Sequence, residues 1–174
     1  GIDRVYLSVN PDDPLHFSPQ LVRAVVARLD PTFWENPGYN LKELQNPQPQ
    51  TIAERLANDL LLWNEPPSSN RAMRMRILAA QLVKEYGRTK ILEWYLNSAY
   101  FGHLAFGAES ASQLYFEKSA RDLSLSESAL LAVLLETPAL NPIDAPGAIL
   151  ESQRLFLAEM AQKELITTED FSAA

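Results

Sequence analysis

The chain contains no cysteine. Disulfides, thiolate metal sites and cysteine nucleophiles are therefore excluded. Only two histidines occur, His16 and His103, far apart in sequence. That excludes a multi-histidine metal site. No apolar run approaches the roughly 20 residues that a bilayer-spanning helix needs. The longest, Ala129 to Leu135, has the length of a core helix segment. Gly1 does not begin a signal peptide, so the chain reads as an excised domain, with any anchor or secretion signal expected outside it. Neither a repeat nor a low-complexity segment is found.

What is present has globular proportions. Of 174 residues, 47% are hydrophobic and 21% charged, enough to bury a core. Lys and Arg number 15 against 22 Asp and Glu, a net charge of −7, which argues against a nucleic-acid partner. The charge is uneven. Residues 71–90 carry Arg71, Arg74, Arg76, Lys84, Arg88 and Lys90 against Glu85 alone. Such a patch is either an anion site or a solvated helix face.

The first 17 residues read as irregular, with Val5, Leu7 and Val9 alternating as a short edge strand does. Ser18-Pro19 starts a helix whose apolar face is Leu21, Val22, Val25 and Val26, ending near Leu29. Prolines make about 30–50 a loop. A second helix is expected from about Thr51 to Trp63, with Ile52, Leu56, Leu60 and Trp63 inward. The third, about 70–86, has Met73, Ile77, Leu78, Ala80, Gln81 and Leu82 as its expected buried side, and Gly87 stands at its C-terminus. Arg71, Arg74 and Arg76 in its first turns oppose the helix dipole. They require an anion, a nearby carboxylate or solvation. Further helices are expected near 89–97, 107–116 and 124–135, the last opened by the capping box Ser124 and Glu127. Pro138, Pro142 and Pro146 suggest an extended crossing. A helix holding Ile149, Leu150, Leu157 and Met160 follows, then a turn begun by Thr167 and Asp170. The expected class is mainly α.

Certain stretches are more specific than these patterns. They are Ile77 to Leu82, Lys90-Ile91-Leu92-Glu93-Trp94-Tyr95-Leu96-Asn97, Tyr100-Phe101-Gly102, Tyr115-Phe116 with Lys118, and Leu123 through Ala132. Together they closely resemble the family 51 glycosyltransferase domain of penicillin-binding proteins, which polymerises lipid II. The resemblance covers roughly residues 14–174. It implies one domain over 1–174, a lysozyme-like larger lobe, and a smaller, membrane-touching lobe that is reduced here to about 30–50. It also implies the extracytoplasmic face of a bacterial membrane, with weakened membrane contact because the stretch Tyr39 to Pro47 is short and polar.

The departures from the family pattern fall on the chemistry. The motif E-D-x-x-F-x-x-H-x-G aligns with Leu29-Asp30-Pro31-Thr32-Phe33-Trp34-Glu35-Asn36-Pro37-Gly38, so Leu29 stands at the proposed general base. Of G-x-S-T-I-T-Q-Q, only Thr51 and Ile52 remain. In R-K-x-x-E, Arg71 matches, Ala72 replaces the lysine and Met75 replaces the second glutamate. The fourth motif is intact in Glu93, Tyr95 and Asn97.

The family reaction joins a sugar hydroxyl to an anomeric carbon carrying a lipid pyrophosphate. The hydroxyl needs a base within hydrogen-bond reach, and losing one typically costs about 10²–10⁴-fold. The leaving group needs cations. Leu29 and Met75 supply neither a proton acceptor nor a hard-metal ligand, so no cofactor is expected, although the family often uses a divalent cation. The resemblance therefore implies a pseudoenzyme with a binding or scaffolding role, its partners being a lipid-linked peptidoglycan precursor or cell-wall synthesis proteins. The remaining substrate or pyrophosphate contacts would be Asp30, Thr51, Arg71, Arg74, Arg76, Glu93 and Asn97. Glu93 also reads as a buried partner of an arginine. An alternative is an active polymerase whose base has moved to Glu35, Glu54 or Asp30. A glycoside hydrolase would want two carboxylates about 5–9.5 Å apart, and no clear pair is evident. Trp34 and Trp63 are expected in the core or a cleft wall, and His103 at the surface.

Overall fold

Side-chain caps set most helix starts. The computed structural model describes residues 5–174. Helix α1 (Pro19–Leu29) begins where the Ser18 hydroxyl accepts the Gln20 N–H and Pro19 fills the first position. Helix α2 (Ile52–Leu61) is opened by a capping box of Thr51 and Glu54. Helix α3 (Ser69–Ser98) contains Gly87 at φ 77°, ψ 159°, so two helical halves meet at the expected break. Helix α4 (Ala108–Phe116) follows Gly107. Capping boxes at Ser124 and Thr167 open α5 (Leu125–Glu136) and α7 (Thr168–Ala173). Between them runs α6 (Pro146–Gln162). Single 3-10 turns occupy Leu41–Glu43 and Pro138–Leu140. The chain is mainly α, as expected.

Four local expectations are corrected. Residues 5–9 form no strand, only an isolated bridge between Ser8 and His16. The Leu7 backbone pairs instead with the side-chain amide of Asn97, donating to its Oδ1 at 3.1 Å and accepting from Nδ2 at 2.8 Å. Pro146 is the first residue of α6 rather than part of a crossing, because that position needs no N–H. Helix α2 stops before Trp63, which is 75% exposed, and Leu60 is exposed with it. The buried face of α2 is Ile52, Ala53, Leu56 and Ala57.

The fourth concerns the face of α3. Met73, Ile77 and Gln81 are exposed, while Ala72, Met75, Arg76 and Ala79 face inward. The inward arginine is tolerated because Glu54 on α2 faces it, Arg76 Nε lying 3.4 Å from Oε1.

Helix α2 packs on α3, and α5 packs between α1 and α6. From Ser128 to Leu135 every residue of α5 is buried. Arg28 of α1 pairs with Glu136 and Glu159, and lies over the Phe156 ring at 5.5 Å. These contacts join the ends of three helices.

Gly107 turns the chain from α3 into α4. At φ +87°, an added Cβ would lie 2.6 Å from the Asn97 carbonyl oxygen. At Gly87 nothing stands within 4 Å. Gly87→Ala is therefore expected to cost about 1–3 kcal/mol from the backbone alone, and Gly107→Ala more, because it adds the clash to the same backbone strain. Denaturant titration of both variants checks the ranking, and equal losses would contradict it.

Candidate functional site

The candidate residues fall into two clusters. The first surrounds the N-terminus of α2. Asp30, immediately after α1, is 2% exposed. Its Oδ2 accepts the Ile52 N–H at 3.1 Å and its Oδ1 accepts Asn36 Nδ2 at 2.8 Å. Thr51 donates its hydroxyl to the Gly38 carbonyl at 2.7 Å and accepts the Glu54 N–H. Glu54 Oε2 accepts the Gln50 and Thr51 N–H groups at 2.7 and 3.0 Å. Arg76 Nη2 donates to the carbonyls of Glu43 and Asn46, holding the 41–46 turn against α3. Asp30, Thr51, Glu54 and Arg76 thus engage one another and the neighbouring backbone.

Burial pushes the Asp30 carboxyl above the usual carboxylate range, and its hydrogen bonds from Ile52, Asn36 and Thr32 offset this only in part. Burial does the same to Glu54, against the Gln50 and Thr51 N–H groups and the Arg76 charge.

The arginines do not form one anion cradle. Arg71 donates from Nη2 to the Leu62 carbonyl at 2.9 Å. Arg74 pairs with Glu65 at the surface. Arg76 is 8% exposed and faces Glu54. The cations opposing the α3 dipole are therefore compensated by nearby carboxylates and a carbonyl. Leu29 is 6% exposed and Met75 0%, both within the hydrophobic core. Neither offers an oxygen to a divalent cation. Among the described residues no group of three or more His, Asp or Glu side chains converges in a way that holds a metal ion. The donor set does not fit one.

The second cluster is built on the last turns of α3. Glu93 is 5% exposed. It accepts from the Tyr6 hydroxyl at 2.8 Å, the Ser8 hydroxyl at 3.0 Å, the Val9 N–H at 3.3 Å and from Lys90. Asn97 holds Leu7 as described. Burial works to raise the Glu93 carboxyl, but the four donors outweigh it and keep it below the usual range. Glu93 does not pair with an arginine; its cation is Lys90.

Other expected features sit apart from both clusters. Glu35 is exposed. His103 lies at the surface against Asp144 at 2.9 Å. Lys118 pairs with Glu127 at 2.7 Å, and the Tyr115 hydroxyl donates to the Phe101 carbonyl. Sequence reading missed two functions of the basic patch. Arg88 clamps the loop after α1, donating from Nε to the Phe33 carbonyl at 3.0 Å and from Nη2 to that of Asn36. Lys90 neutralises Glu93. The i, i+3 spacing of Lys90 and Glu93 was the available signal for the latter. Arg88 had none, because its partners lie 52 and 55 residues away.

Two predictions follow from these geometries. Glu93→Ala leaves two hydroxyls, an N–H and an ammonium without their acceptor. It is expected to cost about 3 kcal/mol in denaturant titration, and a loss within noise would contradict the clamp. Glu54 behaves oppositely with pH. Its folded-state value is raised, so its contribution to stability is complete below about pH 4 and is lost as pH rises through the folded-state value. Glu54→Gln keeps a cap acceptor but cannot titrate. Relative to the parent, its stability is expected to rise between about pH 4 and pH 7; a flat difference would refute the raised carboxyl.

Comparison with known proteins places this geometry. The transglycosylase family model matches residues 10–161. Penicillin-binding protein 1A of Aquifex aeolicus is 38% identical over 125 residues, covering 71% of this chain and 17% of that protein. The biosynthetic peptidoglycan transglycosylase of Haemophilus influenzae is 30% identical over 155 residues, covering 82% of this chain and 62% of that one. The crystal structure of penicillin-binding protein 1A from Haemophilus influenzae superposes with a TM-score of 0.53 at 23% identity, over 95% of this chain and 17% of that chain. This chain thus spans less than two thirds of the length of these relatives. The mainly helical fold is that of the lysozyme-like transglycosylase domain, and the chain belongs to the transglycosylase family, related to the peptidoglycan glycosyltransferases.

Proposed function

We propose that residues 1–174 form a single transglycosylase-type domain that has given up polymerisation and keeps a binding or scaffolding role in cell-wall synthesis. Its place is the extracytoplasmic face of a bacterial membrane, among lipid-linked peptidoglycan precursors or the proteins that handle them. The observation that carries this reading is the closure of Leu29 and Met75 into the core, at 6% and 0% exposure. At these positions the family resemblance expects the two catalytic glutamates. Two apolar side chains buried there accept no proton from a sugar hydroxyl.

The surrounding polar groups support the same reading. Of the three carboxylates that a relocated base would use, Asp30 and Glu54 are 2% and 0% exposed and committed to backbone N–H groups, while Glu35 is exposed in the loop after α1. Neither buried carboxylate has access to an incoming hydroxyl. Arg71, with one nitrogen engaged by the Leu62 carbonyl, is the retained cation best placed to meet a phosphate group of such a precursor. Arg74 reaches one only by leaving Glu65. A binding role asks less of the site than catalysis, because it needs no base.

A lipid II polymerisation assay tests the proposal. The parent protein is expected to give no glycan polymer above the protein-free control. Leu29→Glu with Met75→Glu is expected to give none either, and to lose stability because it puts carboxylates into an apolar core. Polymer made by the parent and lost in Glu35→Gln, Glu54→Gln or Asp30→Asn would establish the alternative, an active enzyme with a relocated base. Polymer from the double variant alone would show that the remaining site had survived intact.

A further inference from the structure

Residues 40–50 hang from one buried cluster. None of them is itself buried. Among the described residues, every hydrogen bond that ties this segment to the rest of the chain is made with Arg76 or Glu54. Arg76 Nη2 holds the Glu43 and Asn46 carbonyls, and Glu54 Oε2 holds the Gln50 N–H. The two holding side chains are themselves an ion pair. A change in the charge of that pair therefore acts on the whole segment.

The charge of the cluster does not balance. Among the described residues, the charged groups that face Glu54 are Arg76 from α3 and Asp30 from the end of α1. The start of α2 offers it only the Gln50 and Thr51 N–H groups. The 41–46 turn offers Arg76 only carbonyls. Asp30 meets uncharged donors, Thr32, Asn36 and the Ile52 N–H. Two carboxylates and one guanidinium, none more than 8% exposed, carry one negative charge in excess when both acids are ionised. A buried group in that position takes up a proton rather than keep the charge. Burial accordingly holds both carboxyls above their ordinary values.

One contact in the cluster is incomplete. Arg76 Nε and Glu54 Oε1 lie 3.4 Å apart, and neither has a hydrogen-bond partner. An ionised Glu54 draws that gap in to a charge-assisted bond of about 2.7–2.9 Å. The guanidinium is a rigid plane, so Nη2 shifts with Nε and leaves its place at the Glu43 and Asn46 carbonyls. We propose that this cluster is a proton-operated catch on residues 40–50: with a proton bound, Arg76 holds the turn, and with the proton gone, Arg76 turns to Glu54 and releases it. The device needs neither substrate nor catalysis and does not depend on the proposed function.

Two measurements on the 174-residue protein test it. Lys42 in the turn and Lys163 after α6 are both exposed, so one trypsin digest reads both places. At about pH 8, cleavage after Lys42 is expected to be about fivefold or more slower in Glu54→Gln, whose amide cannot ionise, than in the parent, with cleavage after Lys163 unchanged. Amide NMR of the parent from about pH 4 to pH 8 follows Gln50 and Thr51, the donors to Glu54, together with Asn46 in the turn. A shared transition is expected at a pH above the ordinary carboxylate range, belonging to the acid pair as a whole. Should Glu54→Gln fold poorly, the titration of the parent decides alone. Three outcomes would overturn the proposal. The first is titration of the Gln50 and Thr51 amides only within the ordinary carboxylate range. The second is a higher transition that leaves Asn46 unmoved. The third is Lys42 cleavage in a folded Glu54→Gln that is no slower than in the parent, or that changes in step with Lys163.

Discussion

Burying α5 on every side is the constraint from which the rest of this fold follows. From Ser128 to Leu135 the helix presents no polar face, and every residue in that run is buried. A helix of this kind cannot lie at a surface. It has to be enclosed, and α1 and α6 supply the enclosure. Each Leu or Val removed from water contributes about 1.5–3 kcal/mol, so this helix is a large part of the driving force. The polar groups at its margin are arranged accordingly. Gln153 of α6 donates to the Ser126 carbonyl at 2.6 Å near its start. Arg28 of α1 bridges Glu136 at its end to Glu159.

A second level of order sits on this frame. The α2–α3 pair is joined by apolar contact and by a buried charge network. Buried ion pairs are weak evidence for stability, because desolvation opposes the attraction. Here the raised Glu54 carboxyl shows desolvation prevailing over the Arg76 charge and the N–H donors. What the network supplies is specificity of position. Arg76 reaches carbonyls in the 41–46 turn, Glu54 reaches the N–H groups before α2, and Asp30 reaches the first N–H of α2. With Arg88 on the Phe33 and Asn36 carbonyls, these contacts hold the irregular stretch between α1 and α2 in place.

Local chemistry was legible in the sequence and long-range pairing was not. Ser18-Pro19, Ser124 with Glu127, and Thr167 with Asp170 announce helix starts because the capping partners lie within three residues. Gly87 announced a break for the same reason. The inward face of α3 was misjudged because hydrophobicity favours Met73 and Ile77 over Arg76. Only the Glu54 side chain, on another helix, reverses that order. Residues 5–9 looked like a strand because they alternate; the Leu7 backbone pairs with a side-chain amide 90 residues away, and the Val9 N–H with the Glu93 carboxylate. Leu21 and Val25 of the apolar face of α1 are fully buried, while Val22 and Val26 pack against the core at its partly exposed edge. The family was legible because its second-half motifs combine many residue types at fixed spacing. How Glu93 and Asn97 are used was not, since their partners belong to the N-terminal segment.

The pattern of kept and altered motif residues has a physical explanation that needs no catalysis. By the resemblance, Asp30, Phe33, Gly38, Thr51, Glu93 and Asn97 match the family. Every one of them has structural work here. Asp30 and Thr51 satisfy backbone around the start of α2. Phe33 is fully packed. An added Cβ at Gly38 would meet the Ala79 carbonyl at 2.8 Å. Glu93 and Asn97 hold residues 6–9. The altered catalytic positions, Leu29 and Met75, are ones where a carboxylate would be expensive to bury and an apolar side chain adds to the core. A chain released from turning over substrate but still required to fold would keep the first set and exchange the second. Asn36 and Glu54, altered from the family motif, take on structural work of the same kind, bonding Asp30 and Gly38 and capping α2.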